Sequence, residues 1–312
     1  MTFKAAVFCH NGLGDGVNTL VLSNQLHLNQ WEVDTYQNVM GSMQGWFPHL
    51  KILPYPNESK IPEILKSYEF LFVVHNDTDP FVQRLIKEGK KQKPDRVKII
   101  YLYPSKNIVK EPYYKDCLVD PSLSIAENLR IFCKRVLFLP RITEGNGFVA
   151  PQGIEFRKHQ KRVVIHPTSA RLTRNWPKDK FLRLAKELEQ EGYEPLFIPG
   201  VKEGWESLRT AFFPNLDELA RFLYESGFLI GNDSGLGHLA SMLGIPTLTV
   251  CRRKTLANMW APSFSRGVVV TPGSWIPNIR GLRLRDRHWK KFISSRKVKR
   301  AFQKLAQDSK PK

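Results

Sequence analysis

Residues 229–246 read LIGNDSGLGHLASMLGIP and decide the fold more clearly than any other stretch of this chain. An apolar run, a short polar turn and a second apolar run predict a buried strand, a tight turn and a helix. Asp233 and Ser234 are typical of a helix N-terminus, with the Gly235 amide beside them and His238 one turn further on. Because the first N–H groups of a helix have no internal partner, this turn suits a phosphate. The alternative is an ordinary capped strand-to-helix turn without a ligand.

The composition is that of a globular protein with room for two domains. The 312 residues are 42% apolar, with 7 Trp and 19 Phe, which is enough to fill two cores. The four cysteines form no C-x-x-C pair, a pattern that favours reduced thiols over a disulfide framework or a zinc ribbon. No apolar run approaches the roughly 20 residues that span a bilayer, and the N-terminal apolar run is short. We therefore expect a soluble, cytoplasmic protein without a secretory leader.

Positive charge is concentrated towards residue 312. The formal net charge is +19, and residues 276–312 hold 13 Lys and Arg against 2 Asp and Glu. Such a field attracts anionic lipid surfaces, phosphorylated glycans or nucleic acid, although a charge run is also found on surfaces without a partner. No RNA-binding signature accompanies it, so nucleic acid is not an expected partner. Trp289, among the cations of residues 281–291, indicates either a membrane interface or a core contact shared with Phe292.

Strand and helix signals alternate on both sides of a Gly- and Pro-containing linker at residues 141–161. This alternation predicts two doubly wound, Rossmann-like α/β domains that face a central cleft. We assign residues 1–150 to an N-terminal domain, 151–275 to a C-terminal domain and 276–312 to a basic segment with a terminal helix. An alternative for that segment is packing back onto the N-terminal domain. The predicted strands are Phe3–Cys9, Glu32–Tyr36, Phe70–Val74, Val97–Leu102, Arg162–His166, Pro195–Ile198, Phe228–Ile230, Thr247–Val250 and Gly267–Thr271.

Three loops at predicted carboxyl ends of strands carry the candidate chemistry. The first, residues 12–16 (GLGDG), allows close backbone approach and places Asp15 at a helix start, where it can act as a general base. The second, residues 166–177 (HPTSARLTRNWP), offers hydroxyls and arginines beside a helix start, which suits a diphosphate. The third is the turn at residues 233–238.

Taken together, these loops resemble glycosyltransferase family nine, the heptosyltransferases of lipopolysaccharide core assembly. Family members have a G-D near the N-terminus, an H-P/A-T/S stretch ending in a basic residue and W-P, and a D-S/T-G-x-x-H-L/I-A followed by L-G-x-P. Each element occurs here in the same order, between about residue 11 and residue 250. The resemblance implies a GT-B fold, with the acceptor in the N-terminal domain and a nucleotide-sugar donor in the C-terminal domain.

The resemblance also implies roles for individual residues. Asp15 matches the base that deprotonates the acceptor hydroxyl, and Gly12 and Gly14 lie on the acceptor side. Glu203 or Glu206, after a predicted strand end, would accept hydrogen bonds from the donor ribose. The residues that match contacts to the donor sugar and its diphosphate are Thr168, Ser169, Arg174, Asp233, Ser234, Gly235 and His238.

The reaction implied by the resemblance is inverting and needs no metal and no other cofactor. It moves heptose from ADP-heptose to the Kdo or inner-core region of lipopolysaccharide. The basic surface would hold a monomeric enzyme at the inner-membrane surface, beside an anionic glycolipid acceptor similar to Kdo-lipid A. The alternatives are a transferase of the same fold with another nucleotide sugar, and a non-catalytic protein that binds anionic glycans or nucleic acid.

The chain departs from the family pattern at two places. Arg174 stands where the family often has Lys, which replaces a point charge by a planar fork of donors. The basic loop Cys251–Thr255 stands where the family commonly has a Gly-Pro-containing loop that lines the donor site. This second departure leaves the donor open and offers further phosphate contacts, or simply a solvated loop.

Two weaker patterns point to other classes of protein. The glycines of residues 12–16, with Asp34 after them, partly mimic a dinucleotide fingerprint, but the third glycine is misplaced. Residues 77–79 (DTD) resemble a metal-binding carboxylate pair, whereas the following Pro80 indicates a helix cap. We expect neither a dehydrogenase nor a metal site.

Overall fold

The structure, a computed structural model, describes residues 2–9, 12–75, 79–101, 119–169, 171–200, 204–205, 209–253, 258–279 and 282–309. Contacts divide the chain into two compact units, Met1–Pro151 and Gln152–Lys312. Each unit is built on one five-stranded sheet whose neighbouring strands are parallel. Two parallel-sheet α/β units are the architecture that the alternating sequence pattern predicts, so the fold class is confirmed.

The first unit is organised around its first strand, β1. The strands are β1 (Lys4–Cys9), β2 (Glu32–Tyr36), β3 (Lys51–Leu53), β4 (Phe70–His75) and β5 (Val97–Tyr101). Their order is β3-β2-β1-β4-β5, and β1 pairs with β2 on one side and β4 on the other. The carboxyl end of β1 is therefore a switch point, where doubly wound sheets open a crevice for ligands. Strand β3 was not predicted, because three residues are too few to show a periodic pattern.

Helix α1 of the first unit is buried on nearly all sides. The helices of this unit are α1 (Leu13–Leu28), α2 (Ile61–Ser67), α3 (Pro80–Gln92) and α4 (Ile125–Arg135). Gln25 Nε2 of α1 donates to the carbonyl of Thr143 at 3.1 Å, and Asn24 Nδ2 donates to that of Gly145 at 3.1 Å. The first part of the predicted linker is therefore fixed on α1, where it satisfies polar side chains that would otherwise be buried without partners.

The second unit has a different strand order but, like the first, contains a switch point. Its strands are β6 (His159–His166), β7 (Glu194–Phe197), β8 (Ser226–Asn232), β9 (Thr247–Val250) and β10 (Gly267–Val270). The order is β10-β9-β8-β6-β7, so its switch point lies between the carboxyl ends of β6 and β8. Its helices are α5 (Lys178–Gln190), α6 (Leu216–Tyr224), α7 (Gly235–Met242), α8 (Leu284–Phe292) and α9 (Ser295–Asp308).

The basic segment at residues 276–312 contributes to the core of the second unit. Its helix α9 buries Val298, Phe302 and Leu305 in one apolar cluster with side chains of the β6–β8 region. The ring of Phe302 meets that of Tyr193 edge-on, with centroids 5.0 Å apart. The apolar face of α9 is therefore covered by side chains of its own unit.

Trp289 of α8 is only 3% exposed and lies in the same cluster. Of its two predicted roles, the core contact is therefore the one observed, and the membrane interface is wrong for this residue. Among the described residues, no helix combines the length and the apolar composition needed to cross a bilayer.

Candidate functional site

The second and third predicted loops meet at the switch point of the second unit. Asn232, the last residue of β8, is buried; its Oδ1 accepts from the backbone N–H of Trp176 at 2.9 Å, and its Nδ2 donates to the carbonyl of Pro167 at 2.6 Å. Gly231 permits this close approach, since a Cβ there would lie 2.9 Å from the carbonyl oxygen of His166. The sequence analysis gave Asn232 no role, because both partners are more than 50 residues away along the chain.

Two side chains of opposite charge face each other across these loops. Arg174 Nη1 lies 3.9 Å from Asp233 Oδ2, a loose ion pair in which the arginine is 43% exposed. Burial raises the pKa of Asp233, while the charges of His238 and Arg174 oppose that rise. Arg174 is thus only weakly engaged and can turn its fork of donors to an incoming anion.

The N-terminus of α7 lies beside this pair and is not closed by a side chain. Ser234 is the N-cap residue, but its side chain makes no capping hydrogen bond. Its Oγ is buried and, among the described residues, finds no hydrogen-bond partner. Gly235 is the first helical residue, and His238 is buried one turn further on. Backbone N–H groups at a helix N-terminus, with a hydroxyl beside them, form a ready site for a phosphate oxygen.

The two hydroxyls of the second loop differ in their engagement. Thr168 Oγ1 accepts from the N–H of Gly200 at 2.6 Å, which leaves its own proton available for a further bond. Ser169 Oγ lies 2.7 Å from Oδ1 of Asn175 and 3.0 Å from the carbonyl oxygen of Arg171. Ser169 therefore fixes the shape of its own loop, whereas Thr168 also binds the loop that follows β7.

Two groups at this edge were not predicted as site residues. Burial and then the Asp233 charge raise the pKa of the Cys251 thiol, which lies at the end of β9 and lines the same edge. His166 Nδ1 lies 2.6 Å from the carbonyl oxygen of Ile198, and burial lowers the pKa of the ring. A cluster of polar residues in a loop can be recognised in the sequence as a candidate site, whereas a single residue at a strand end cannot.

Asp15 lies in the first turn of α1, at the switch point of the first unit. Gly12 is the N-cap residue, and a Cβ there would collide with the Asp15 carboxylate, so glycine allows the carboxylate to lie over the helix start. The carbonyl of Gly14 accepts from Asn18 Nδ2 at 2.8 Å. Burial and then the Asp15 charge raise the pKa of the Cys9 thiol, which lies at the end of β1. A half-buried carboxylate thus lies at the ligand-binding edge of this sheet.

Asp34 and Asp79, one residue from each competing pattern, have structural roles, and Asp77 of the second pattern lies outside the described residues. Asp34 is 5% exposed and accepts a 2.6 Å hydrogen bond from the Tyr68 hydroxyl, so its carboxylate is buried and hydrogen-bonded within the first unit. Asp79 caps α3, its Oδ1 accepting from the N–H of Val82 at 3.2 Å, as the helix-cap interpretation predicts. In the part of the chain that the structure describes, no three His, Cys, Asp or Glu side chains form a cluster that could hold a metal ion.

The structure brings together most of the residues predicted for the second unit and leaves a few outside its description. The candidate ribose partners Glu203 and Glu206 lie outside the described residues, as do Lys254 and Thr255 of the basic loop. Arranged about one strand edge are Thr168, Ser169, Arg174, Asp233, Ser234, Gly235 and His238.

A comparison with protein families identifies the pattern in this edge. Residues 140–270 match the model of glycosyltransferase family 9 (heptosyltransferase). The matched segment contains the second and third loops and excludes Asp15. The match confirms the resemblance predicted from the loops and supports a glycosyltransferase.

Solved structures of the same fold cover nearly the whole chain. Escherichia coli ADP-heptose lipopolysaccharide heptosyltransferase II is 15% identical, with a TM-score of 0.69 over 98% of this chain and 99% of that one. The family 9 glycosyltransferase of Veillonella parvula is also 15% identical, with a TM-score of 0.69 and 98% of both chains covered. E. coli heptosyltransferase WaaC with ADP is 14% identical, with a TM-score of 0.63 over 97% of this chain and 99% of that one. No curated protein sequence matched the chain.

Proposed function

We propose that this glycosyltransferase moves heptose from ADP-heptose to the Kdo-containing inner core of a lipopolysaccharide precursor. The observation that carries the proposal is the group formed by Arg174, Asp233 and the α7 N-terminus at one switch point. It combines a mobile cation, a buried acid and helix N–H groups, which is the set of partners that a sugar linked to a diphosphate requires. Related structures hold ADP and an ADP-heptose analogue, which supports adenosine diphosphate as the donor nucleotide.

The donor residues act on the departing diphosphate. As the bond from the anomeric carbon to the phosphate oxygen breaks, the diphosphate gains negative charge. Arg174 and the α7 N–H groups stabilise that charge, and the hydroxyls of Thr168 and Ser234 add hydrogen bonds. Asp233, which burial keeps readily protonated, binds a hydroxyl of the donor sugar.

Asp15 acts as the general base in this proposal. Its carboxylate takes the proton from the acceptor hydroxyl while the hydroxyl oxygen attacks the anomeric carbon from the face opposite the diphosphate, so the configuration is inverted. Gly12 and Gly14 keep the backbone clear for the acceptor. No step in this displacement requires a metal.

The excess positive charge directs the enzyme to its acceptor. A surface with 13 Lys and Arg in residues 276–312 attracts a phosphorylated glycolipid and the inner-membrane surface that carries it. We expect a monomer that binds the membrane peripherally, with transfer that slows as salt screens the attraction. Light scattering after gel filtration checks the first point, and transfer rates across a range of ionic strength check the second.

Calorimetry with ADP, GDP and UDP in the absence of metal tests the donor assignment. We expect ADP and ADP-heptose to bind and the other two nucleotides to bind at least about tenfold more weakly. Equal binding of all three would contradict the donor assignment. A preference for GDP or UDP would transfer the proposal to another nucleotide sugar.

A further inference from the structure

A polar cavity lies in the second unit. Arg252 and Arg253 of the basic loop after β9 line it, whereas Arg174, Asp233 and the N-terminus of α7 do not. Its volume is about 980 Å³, and its walls are the residues after β9, the residues after β10 and residues 278–286 that lead into α8. Among the described residues, four arginines and one aspartate supply the ionised lining of this arginine cavity. They are Arg252, Arg253, Arg283, Arg285 and Asp286.

The single carboxylate does not neutralise the arginine cavity. Asp286 Oδ2 lies 2.5 Å from Arg253 Nη2, and its backbone N–H donates to Oδ1 of Asn278 at 3.2 Å. Burial would raise the pKa of Asp286, but hydrogen bonds with Arg253 and Asn278 and the charges of Arg253 and Arg252 together hold the pKa below the ordinary value. One arginine is therefore matched by one carboxylate, and the remaining three leave an excess of positive charge.

The rim of the arginine cavity is apolar and exposed. Ten large apolar side chains are exposed among the described residues, and four of them lie in one ten-residue stretch. They are Trp275 at 82%, Ile279 at 67%, Leu282 at 44% and Leu284 at 36% exposure. A short antiparallel bridge pairs Ile279 with Leu282, and the Trp275 ring lies where a Cβ on Gly273 would be. Because Ile279 and Gly273 line the cavity, these contacts place Leu282 and Trp275 beside it.

We propose that the arginine cavity and its apolar rim are a docking site for the phosphate group of an anionic lipid in a bilayer surface. Guanidinium groups bind phosphate oxygens through paired hydrogen bonds, and a phosphate monoester presents the largest charge to them. Tryptophan and leucine side chains are favoured at the boundary between headgroups and acyl chains. A soluble phosphate would satisfy the arginines but leave Trp275 in water, so the rim selects a lipid-linked phosphate.

This docking site deepens the proposed function. It rests on that proposal in one respect, because the acceptor is taken to be a phosphorylated lipid. Docking there would hold the second unit at the surface on which the acceptor lies. The contact concerns the lipid phosphate and leaves the donor residues untouched, so the two proposals can fail separately.

Vesicle sedimentation of the full chain tests the site. The probes are phosphatidylcholine vesicles with about 20 mol % phosphatidic acid, a monoester, or the same share of phosphatidylglycerol, a diester. We expect tighter binding to phosphatidic acid. The double variant Arg283→Ala, Arg285→Ala, which changes two cavity arginines outside the basic loop after β9, should bind it about tenfold more weakly and lose the preference. The matched control, Arg296→Ala with Lys304→Ala, removes two exposed charges of α9 and should retain the preference.

The rim is tested by the double variant Trp275→Ser, Ile279→Ser, which should weaken binding to both kinds of vesicle by about tenfold or more. ADP affinity, measured by calorimetry, should be unchanged in all variants. Lost ADP binding in the unaltered protein with retained vesicle preference would remove the proposed function and leave this site.

Three outcomes would overturn the inference: equal loss of the preference in the control variant, equal affinity for glycerol phosphate in solution and for phosphatidic acid vesicles, or displacement from vesicles by single-stranded RNA.

Discussion

Each unit is a parallel sheet with a switch point, but the side chains at the two switch points differ in chemistry. In both, the first strand lies between two neighbours, and a crevice for ligands opens at its carboxyl end. In the first unit that edge carries the Asp15 carboxylate over glycine backbone. In the second it carries Arg174, Asp233 and a helix N-terminus without a side-chain cap.

The contrast extends to the charge of each unit. Residues 1–151 hold 18 Lys and Arg against 15 Asp and Glu, whereas residues 152–312 hold 30 against 14. A nearly balanced unit leaves a carboxylate free of competing cations, and a strongly cationic one attracts phosphates. The fold therefore provides two equivalent edges, and the side chains at each edge decide what it binds.

The strongest test of this contrast is Asp15→Asn. We expect transfer to slow by about 100-fold to 10,000-fold, because the amide of the variant cannot take the proton from the acceptor hydroxyl. ADP affinity should be unchanged. Release of ADP in the presence of acceptor measures the first quantity, and calorimetry the second. The exposed Asp95 in the same unit offers a control, since Asp95→Asn should keep full activity. A loss below tenfold in Asp15→Asn would remove the general base from the first unit.

Asn232→Ala tests what holds the second edge together. The change leaves the Trp176 N–H and the Pro167 carbonyl buried without their partner, so we expect the second unit to lose about 2–4 kcal/mol of unfolding free energy. Urea unfolding measures this loss. Asn175→Ala, in the same loop, removes one hydrogen bond with Ser169 and should cost about 1 kcal/mol. Equal costs would show that Asn232 does not join the loops.

Arg174→Ala sharpens the assignment of the phosphate partners. Loss of a charge-assisted hydrogen bond should weaken ADP binding by about 10-fold to 100-fold, measured by calorimetry. Arg174→Lys should restore much of the affinity because it restores the charge. Arg171, exposed in the same loop, is the matched control, and ADP affinity that falls equally in Arg171→Ala would indicate a general field rather than a contact.

The smallest expected effect concerns the pH dependence of stability at Asp233. Burial raises its pKa in the folded protein, so its contribution to stability is present at low pH and lost as the pH rises from about 3.8 through the raised pKa. Asp233→Asn removes this titration, so the stability of the variant relative to the unaltered protein should rise between acidic and neutral pH. Urea unfolding at both pH values measures it. A relative fall, or a similar rise in Asp95→Asn, would contradict the assignment.

Local sequence patterns predicted much of the fold. Apolar runs predicted nine of the ten strands that the structure describes near their observed positions, and Lys51–Leu53 was missed. Ser124 and Glu127 have the spacing of a capping box at the start of α4, and the Ser124 Oγ accepts from the N–H of Glu127 at 3.1 Å. These features depend on neighbours in the chain, so periodicity and residue type are sufficient to find them.

Results

Sequence analysis

Residues 229–246 read LIGNDSGLGHLASMLGIP and decide the fold more clearly than any other stretch of this chain. An apolar run, a short polar turn and a second apolar run predict a buried strand, a tight turn and a helix. Asp233 and Ser234 are typical of a helix N-terminus, with the Gly235 amide beside them and His238 one turn further on. Because the first N–H groups of a helix have no internal partner, this turn suits a phosphate. The alternative is an ordinary capped strand-to-helix turn without a ligand.

The composition is that of a globular protein with room for two domains. The 312 residues are 42% apolar, with 7 Trp and 19 Phe, which is enough to fill two cores. The four cysteines form no C-x-x-C pair, a pattern that favours reduced thiols over a disulfide framework or a zinc ribbon. No apolar run approaches the roughly 20 residues that span a bilayer, and the N-terminal apolar run is short. We therefore expect a soluble, cytoplasmic protein without a secretory leader.

Positive charge is concentrated towards residue 312. The formal net charge is +19, and residues 276–312 hold 13 Lys and Arg against 2 Asp and Glu. Such a field attracts anionic lipid surfaces, phosphorylated glycans or nucleic acid, although a charge run is also found on surfaces without a partner. No RNA-binding signature accompanies it, so nucleic acid is not an expected partner. Trp289, among the cations of residues 281–291, indicates either a membrane interface or a core contact shared with Phe292.

Strand and helix signals alternate on both sides of a Gly- and Pro-containing linker at residues 141–161. This alternation predicts two doubly wound, Rossmann-like α/β domains that face a central cleft. We assign residues 1–150 to an N-terminal domain, 151–275 to a C-terminal domain and 276–312 to a basic segment with a terminal helix. An alternative for that segment is packing back onto the N-terminal domain. The predicted strands are Phe3–Cys9, Glu32–Tyr36, Phe70–Val74, Val97–Leu102, Arg162–His166, Pro195–Ile198, Phe228–Ile230, Thr247–Val250 and Gly267–Thr271.

Three loops at predicted carboxyl ends of strands carry the candidate chemistry. The first, residues 12–16 (GLGDG), allows close backbone approach and places Asp15 at a helix start, where it can act as a general base. The second, residues 166–177 (HPTSARLTRNWP), offers hydroxyls and arginines beside a helix start, which suits a diphosphate. The third is the turn at residues 233–238.

Taken together, these loops resemble glycosyltransferase family nine, the heptosyltransferases of lipopolysaccharide core assembly. Family members have a G-D near the N-terminus, an H-P/A-T/S stretch ending in a basic residue and W-P, and a D-S/T-G-x-x-H-L/I-A followed by L-G-x-P. Each element occurs here in the same order, between about residue 11 and residue 250. The resemblance implies a GT-B fold, with the acceptor in the N-terminal domain and a nucleotide-sugar donor in the C-terminal domain.

The resemblance also implies roles for individual residues. Asp15 matches the base that deprotonates the acceptor hydroxyl, and Gly12 and Gly14 lie on the acceptor side. Glu203 or Glu206, after a predicted strand end, would accept hydrogen bonds from the donor ribose. The residues that match contacts to the donor sugar and its diphosphate are Thr168, Ser169, Arg174, Asp233, Ser234, Gly235 and His238.

The reaction implied by the resemblance is inverting and needs no metal and no other cofactor. It moves heptose from ADP-heptose to the Kdo or inner-core region of lipopolysaccharide. The basic surface would hold a monomeric enzyme at the inner-membrane surface, beside an anionic glycolipid acceptor similar to Kdo-lipid A. The alternatives are a transferase of the same fold with another nucleotide sugar, and a non-catalytic protein that binds anionic glycans or nucleic acid.

The chain departs from the family pattern at two places. Arg174 stands where the family often has Lys, which replaces a point charge by a planar fork of donors. The basic loop Cys251–Thr255 stands where the family commonly has a Gly-Pro-containing loop that lines the donor site. This second departure leaves the donor open and offers either further phosphate contacts or simply a solvated loop.

Two weaker patterns point to other classes of protein. The glycines of residues 12–16, with Asp34 after them, partly mimic a dinucleotide fingerprint, but the third glycine is misplaced. Residues 77–79 (DTD) resemble a metal-binding carboxylate pair, whereas the following Pro80 indicates a helix cap. We expect neither a dehydrogenase nor a metal site.

Overall fold

The structure, a computed structural model, describes residues 2–9, 12–75, 79–101, 119–169, 171–200, 204–205, 209–253, 258–279 and 282–309. Contacts divide the chain into two compact units, Met1–Pro151 and Gln152–Lys312. Each unit is built on one five-stranded sheet whose neighbouring strands are parallel. Two parallel-sheet α/β units are the architecture that the alternating sequence pattern predicts, so the fold class is confirmed.

The first unit is organised around its first strand, β1. The strands are β1 (Lys4–Cys9), β2 (Glu32–Tyr36), β3 (Lys51–Leu53), β4 (Phe70–His75) and β5 (Val97–Tyr101). Their order is β3-β2-β1-β4-β5, and β1 pairs with β2 on one side and β4 on the other. The carboxyl end of β1 is therefore a switch point, where doubly wound sheets open a crevice for ligands. Strand β3 was not predicted, because three residues are too few to show a periodic pattern.

Helix α1 of the first unit is buried on nearly all sides. The helices of this unit are α1 (Leu13–Leu28), α2 (Ile61–Ser67), α3 (Pro80–Gln92) and α4 (Ile125–Arg135). Gln25 Nε2 of α1 donates to the carbonyl of Thr143 at 3.1 Å, and Asn24 Nδ2 donates to that of Gly145 at 3.1 Å. The first part of the predicted linker is therefore fixed on α1, where it satisfies polar side chains that would otherwise be buried without partners.

The second unit has a different strand order but, like the first, contains a switch point. Its strands are β6 (His159–His166), β7 (Glu194–Phe197), β8 (Ser226–Asn232), β9 (Thr247–Val250) and β10 (Gly267–Val270). The order is β10-β9-β8-β6-β7, so its switch point lies between the carboxyl ends of β6 and β8. Its helices are α5 (Lys178–Gln190), α6 (Leu216–Tyr224), α7 (Gly235–Met242), α8 (Leu284–Phe292) and α9 (Ser295–Asp308).

The basic segment at residues 276–312 contributes to the core of the second unit. Its helix α9 buries Val298, Phe302 and Leu305 in one apolar cluster with side chains of β6, β8 and α5. The ring of Phe302 meets that of Tyr193 edge-on, with centroids 5.0 Å apart. The apolar face of α9 is therefore covered by side chains of its own unit.

Trp289 of α8 is only 3% exposed and lies in the same cluster. Of its two predicted roles, the core contact is therefore the one observed, and the membrane interface is wrong for this residue. Among the described residues, no helix combines the length and the apolar composition needed to cross a bilayer.

Candidate functional site

The second and third predicted loops meet at the switch point of the second unit. Asn232, the last residue of β8, is buried; its Oδ1 accepts from the backbone N–H of Trp176 at 2.9 Å, and its Nδ2 donates to the carbonyl of Pro167 at 2.6 Å. Gly231 permits this close approach, since a Cβ there would lie 2.9 Å from the carbonyl oxygen of His166. The sequence analysis assigned no role to Asn232, because both partners lie far from it along the chain.

Two side chains of opposite charge face each other across these loops. Arg174 Nη1 lies 3.9 Å from Asp233 Oδ2, a loose ion pair in which the arginine side chain is 43% exposed. Burial raises the pKa of Asp233, while the charges of His238 and Arg174 oppose that rise. Arg174 is thus only weakly engaged and can turn its fork of donors to an incoming anion.

The N-terminus of α7 lies beside this pair and is not closed by a side chain. Ser234 is the N-cap residue, but its side chain makes no capping hydrogen bond. Its Oγ is buried and, among the described residues, finds no hydrogen-bond partner. Gly235 is the first helical residue, and His238 is buried one turn further on. Backbone N–H groups at a helix N-terminus, with a hydroxyl beside them, form a ready site for a phosphate oxygen.

The two hydroxyls of the second loop differ in their engagement. Thr168 Oγ1 accepts from the N–H of Gly200 at 2.6 Å, which leaves its own proton available for a further bond. Ser169 Oγ lies 2.7 Å from Oδ1 of Asn175 and 3.0 Å from the carbonyl oxygen of Arg171. Ser169 therefore fixes the shape of its own loop, whereas Thr168 also binds the loop that follows β7.

Two groups at this edge were not predicted as site residues. Burial and then the Asp233 charge raise the pKa of the Cys251 thiol, which directly follows β9. His166 Nδ1 lies 2.6 Å from the carbonyl oxygen of Ile198, and burial lowers the pKa of the ring. A cluster of polar residues in a loop can be recognised in the sequence as a candidate site, whereas a single residue at a strand end cannot.

Asp15 lies in the first turn of α1, at the switch point of the first unit. Gly12 is the N-cap residue, and a Cβ there would collide with the Asp15 carboxylate, so glycine allows the carboxylate to lie over the helix start. The carbonyl of Gly14 accepts from Asn18 Nδ2 at 2.8 Å. Burial and then the Asp15 charge raise the pKa of the Cys9 thiol, which lies at the end of β1. A half-buried carboxylate thus lies at the ligand-binding edge of this sheet.

Asp34 and Asp79, one residue from each competing pattern, have structural roles, and Asp77 of the second pattern lies outside the described residues. Asp34 is 5% exposed and accepts a 2.6 Å hydrogen bond from the Tyr68 hydroxyl, so its carboxylate is buried and hydrogen-bonded within the first unit. Asp79 caps α3, its Oδ1 accepting from the N–H of Val82 at 3.2 Å, as the helix-cap interpretation predicts. In the part of the chain that the structure describes, no three His, Cys, Asp or Glu side chains form a cluster that could hold a metal ion.

The structure brings together most of the residues predicted for the second unit. The candidate ribose partners Glu203 and Glu206 lie outside the described residues, as do Lys254 and Thr255 of the basic loop. Arranged about one strand edge are Thr168, Ser169, Arg174, Asp233, Ser234, Gly235 and His238.

A comparison with protein families recognises the sequence pattern of this edge. Residues 140–270 match the model of glycosyltransferase family 9 (heptosyltransferase). The matched segment contains the second and third loops and excludes Asp15. The match confirms the resemblance predicted from the loops and supports a glycosyltransferase.

Solved structures of the same fold cover nearly the whole chain. Escherichia coli ADP-heptose lipopolysaccharide heptosyltransferase II is 15% identical, with a TM-score of 0.69 over 98% of this chain and 99% of that one. The family 9 glycosyltransferase of Veillonella parvula is also 15% identical, with a TM-score of 0.69 and 98% of both chains covered. E. coli heptosyltransferase WaaC with ADP is 14% identical, with a TM-score of 0.63 over 97% of this chain and 99% of that one. No curated protein sequence matched the chain.

Proposed function

We propose that this glycosyltransferase moves heptose from ADP-heptose to the Kdo-containing inner core of a lipopolysaccharide precursor. The observation that carries the proposal is the group formed by Arg174, Asp233 and the α7 N-terminus at one switch point. It combines a mobile cation, a buried acid and helix N–H groups, which are suitable partners for a sugar linked to a diphosphate. The WaaC structures with ADP and with ADP-2-deoxy-2-fluoro heptose support adenosine diphosphate as the donor nucleotide.

The donor residues act on the departing diphosphate. As the bond from the anomeric carbon to the phosphate oxygen breaks, the diphosphate gains negative charge. Arg174 and the α7 N–H groups stabilise that charge, and the hydroxyls of Thr168 and Ser234 add hydrogen bonds. Asp233, whose pKa is raised by burial, binds a hydroxyl of the donor sugar.

Asp15 acts as the general base in this proposal. Its carboxylate takes the proton from the acceptor hydroxyl while the hydroxyl oxygen attacks the anomeric carbon from the face opposite the diphosphate, so the configuration is inverted. Gly12 and Gly14 keep the backbone clear for the acceptor. No step in this displacement requires a metal.

The excess positive charge directs the enzyme to its acceptor. A segment with 13 Lys and Arg in residues 276–312 attracts a phosphorylated glycolipid and the inner-membrane surface that carries it. We expect a monomer that binds the membrane peripherally, with transfer that slows as salt screens the attraction. Light scattering after gel filtration checks the first point, and transfer rates across a range of ionic strength check the second.

Calorimetry with ADP, GDP and UDP in the absence of metal tests the donor assignment. We expect ADP and ADP-heptose to bind, and the other two nucleotides to bind at least about tenfold more weakly. Equal binding of all three would contradict the donor assignment. A preference for GDP or UDP would transfer the proposal to another nucleotide sugar.

A further inference from the structure

A polar cavity lies in the second unit. Arg252 and Arg253 of the basic loop after β9 line it, whereas Arg174, Asp233 and the N-terminus of α7 do not. Its volume is about 980 Å³, and its walls are the residues after β9, the residues after β10 and residues 278–286 that lead into α8. Among the described residues, four arginines and one aspartate supply the charged lining of this arginine cavity. They are Arg252, Arg253, Arg283, Arg285 and Asp286.

The single carboxylate does not neutralise the arginine cavity. Asp286 Oδ2 lies 2.5 Å from Arg253 Nη2, and its backbone N–H donates to Oδ1 of Asn278 at 3.2 Å. Burial would raise the pKa of Asp286, but the hydrogen bond from Arg253 contributes to holding the pKa below the ordinary value. One arginine is therefore matched by one carboxylate, and the remaining three leave an excess of positive charge.

The rim of the arginine cavity is apolar and exposed. Ten large apolar side chains are exposed among the described residues, and four of them lie in one ten-residue stretch. They are Trp275 at 82%, Ile279 at 67%, Leu282 at 44% and Leu284 at 36% exposure. A short antiparallel bridge pairs Ile279 with Leu282, and the Trp275 ring lies where a Cβ on Gly273 would be. Because Ile279 and Gly273 line the cavity, these contacts place Leu282 and Trp275 beside it.

We propose that the arginine cavity and its apolar rim are a docking site for the phosphate group of an anionic lipid in a bilayer surface. Guanidinium groups bind phosphate oxygens through paired hydrogen bonds, and a phosphate monoester presents the largest charge to them. Tryptophan and leucine side chains are favoured at the boundary between headgroups and acyl chains. A soluble phosphate would satisfy the arginines but leave Trp275 in water, so the rim selects a lipid-linked phosphate.

This docking site deepens the proposed function. It rests on that proposal in one respect, because the acceptor is taken to be a phosphorylated lipid. Docking there would hold the second unit at the surface on which the acceptor lies. The contact concerns the lipid phosphate and leaves the donor residues untouched, so the two proposals can fail separately.

Vesicle sedimentation of the full chain tests the site. The probes are phosphatidylcholine vesicles with about 20 mol % phosphatidic acid, a monoester, or the same share of phosphatidylglycerol, a diester. We expect tighter binding to phosphatidic acid. The double variant Arg283→Ala, Arg285→Ala, which changes two cavity arginines outside the basic loop after β9, should bind it about tenfold more weakly and lose the preference. The matched control, Arg296→Ala with Lys304→Ala, removes two exposed charges of α9 and should retain the preference.

The rim is tested by the double variant Trp275→Ser, Ile279→Ser, which should weaken binding to both kinds of vesicle by about tenfold. ADP affinity, measured by calorimetry, should be unchanged in all variants. Lost ADP binding in the unaltered protein, with the vesicle preference retained, would remove the proposed function and leave this site.

Three outcomes would overturn the docking site. One is equal loss of the preference in the control variant, which would indicate a general charge effect. The second is equal affinity for glycerol phosphate in solution and for phosphatidic acid vesicles, which would indicate a soluble ligand. The third is displacement from vesicles by single-stranded RNA, which would indicate a nucleic-acid surface.

Discussion

Each unit is a parallel sheet with a switch point, but the side chains at the two switch points differ in chemistry. In both, the first strand lies between two neighbours, and a crevice for ligands opens at its carboxyl end. In the first unit that edge carries the Asp15 carboxylate over glycine backbone. In the second it carries Arg174, Asp233 and a helix N-terminus without a side-chain cap.

The contrast extends to the charge of each unit. Residues 1–151 hold 18 Lys and Arg against 15 Asp and Glu, whereas residues 152–312 hold 30 against 14. A nearly balanced unit suits a general base, and a strongly cationic one attracts phosphates. The fold therefore provides two equivalent edges, and the side chains at each edge decide what it binds.

The strongest test of this contrast is Asp15→Asn. We expect transfer to slow by about 100-fold to 10,000-fold, because the amide of the variant cannot take the proton from the acceptor hydroxyl. ADP affinity should be unchanged. Release of ADP in the presence of acceptor measures the first quantity, and calorimetry the second. The exposed Asp95 in the same unit offers a control, since Asp95→Asn should keep full activity. A loss of only a few-fold in Asp15→Asn would remove the general base from the first unit.

Asn232→Ala tests what holds the second edge together. The change leaves the Trp176 N–H and the Pro167 carbonyl buried without their partner, so we expect the second unit to lose about 2–4 kcal/mol of unfolding free energy. Urea unfolding measures this loss. Asn175→Ala, in the same loop, removes one hydrogen bond with Ser169 and should cost about 1 kcal/mol. Equal costs would show that Asn232 does not join the loops.

Arg174→Ala sharpens the assignment of the phosphate partners. Loss of a charge-assisted hydrogen bond should weaken ADP binding by about 10-fold to 100-fold, measured by calorimetry. Arg174→Lys should restore much of the affinity because it restores the charge. Arg171, exposed in the same loop, is the matched control, and ADP affinity that falls equally in Arg171→Ala would indicate a general field rather than a contact.

The smallest expected effect concerns the pH dependence of stability at Asp233. Burial raises its pKa in the folded protein, so its contribution to stability is present at low pH and is lost as the pH rises from 3.8 through the raised pKa. Asp233→Asn removes this titration, so the stability of the variant relative to the unaltered protein should rise between acidic and neutral pH. Urea unfolding at both pH values measures the change. A relative fall, or a similar rise in Asp95→Asn, would contradict the assignment.

Local sequence patterns predicted much of the fold. Apolar runs predicted each strand that the structure describes near its observed position, except Lys51–Leu53. Ser124 and Glu127 have the spacing of a capping box at the start of α4, and the Ser124 Oγ accepts from the N–H of Glu127 at 3.1 Å. These features depend on neighbours in the chain, so periodicity and residue type are sufficient to find them.

Contacts between distant residues were not predictable in the same way. Asn232 is one polar residue in a polar turn until the fold brings Trp176 and Pro167 to it. Trp275 and Trp289 both lie near basic residues, yet the first is 82% exposed and the second 3% exposed. Which tryptophan is buried depends on the packing of α8 and α9, and local composition contains no information on that packing.

The sequence by itself determined the two α/β units, the three loops at strand ends and the family they resemble, because strand, turn and cap signals are local. Only the tertiary structure decided that Asn232 joins two of those loops, that the basic segment packs within the second unit, and that an arginine cavity with an apolar rim forms there. The physical reason is that burial and hydrogen-bond partners belong to pairs of segments, which meet only once the sheets are formed.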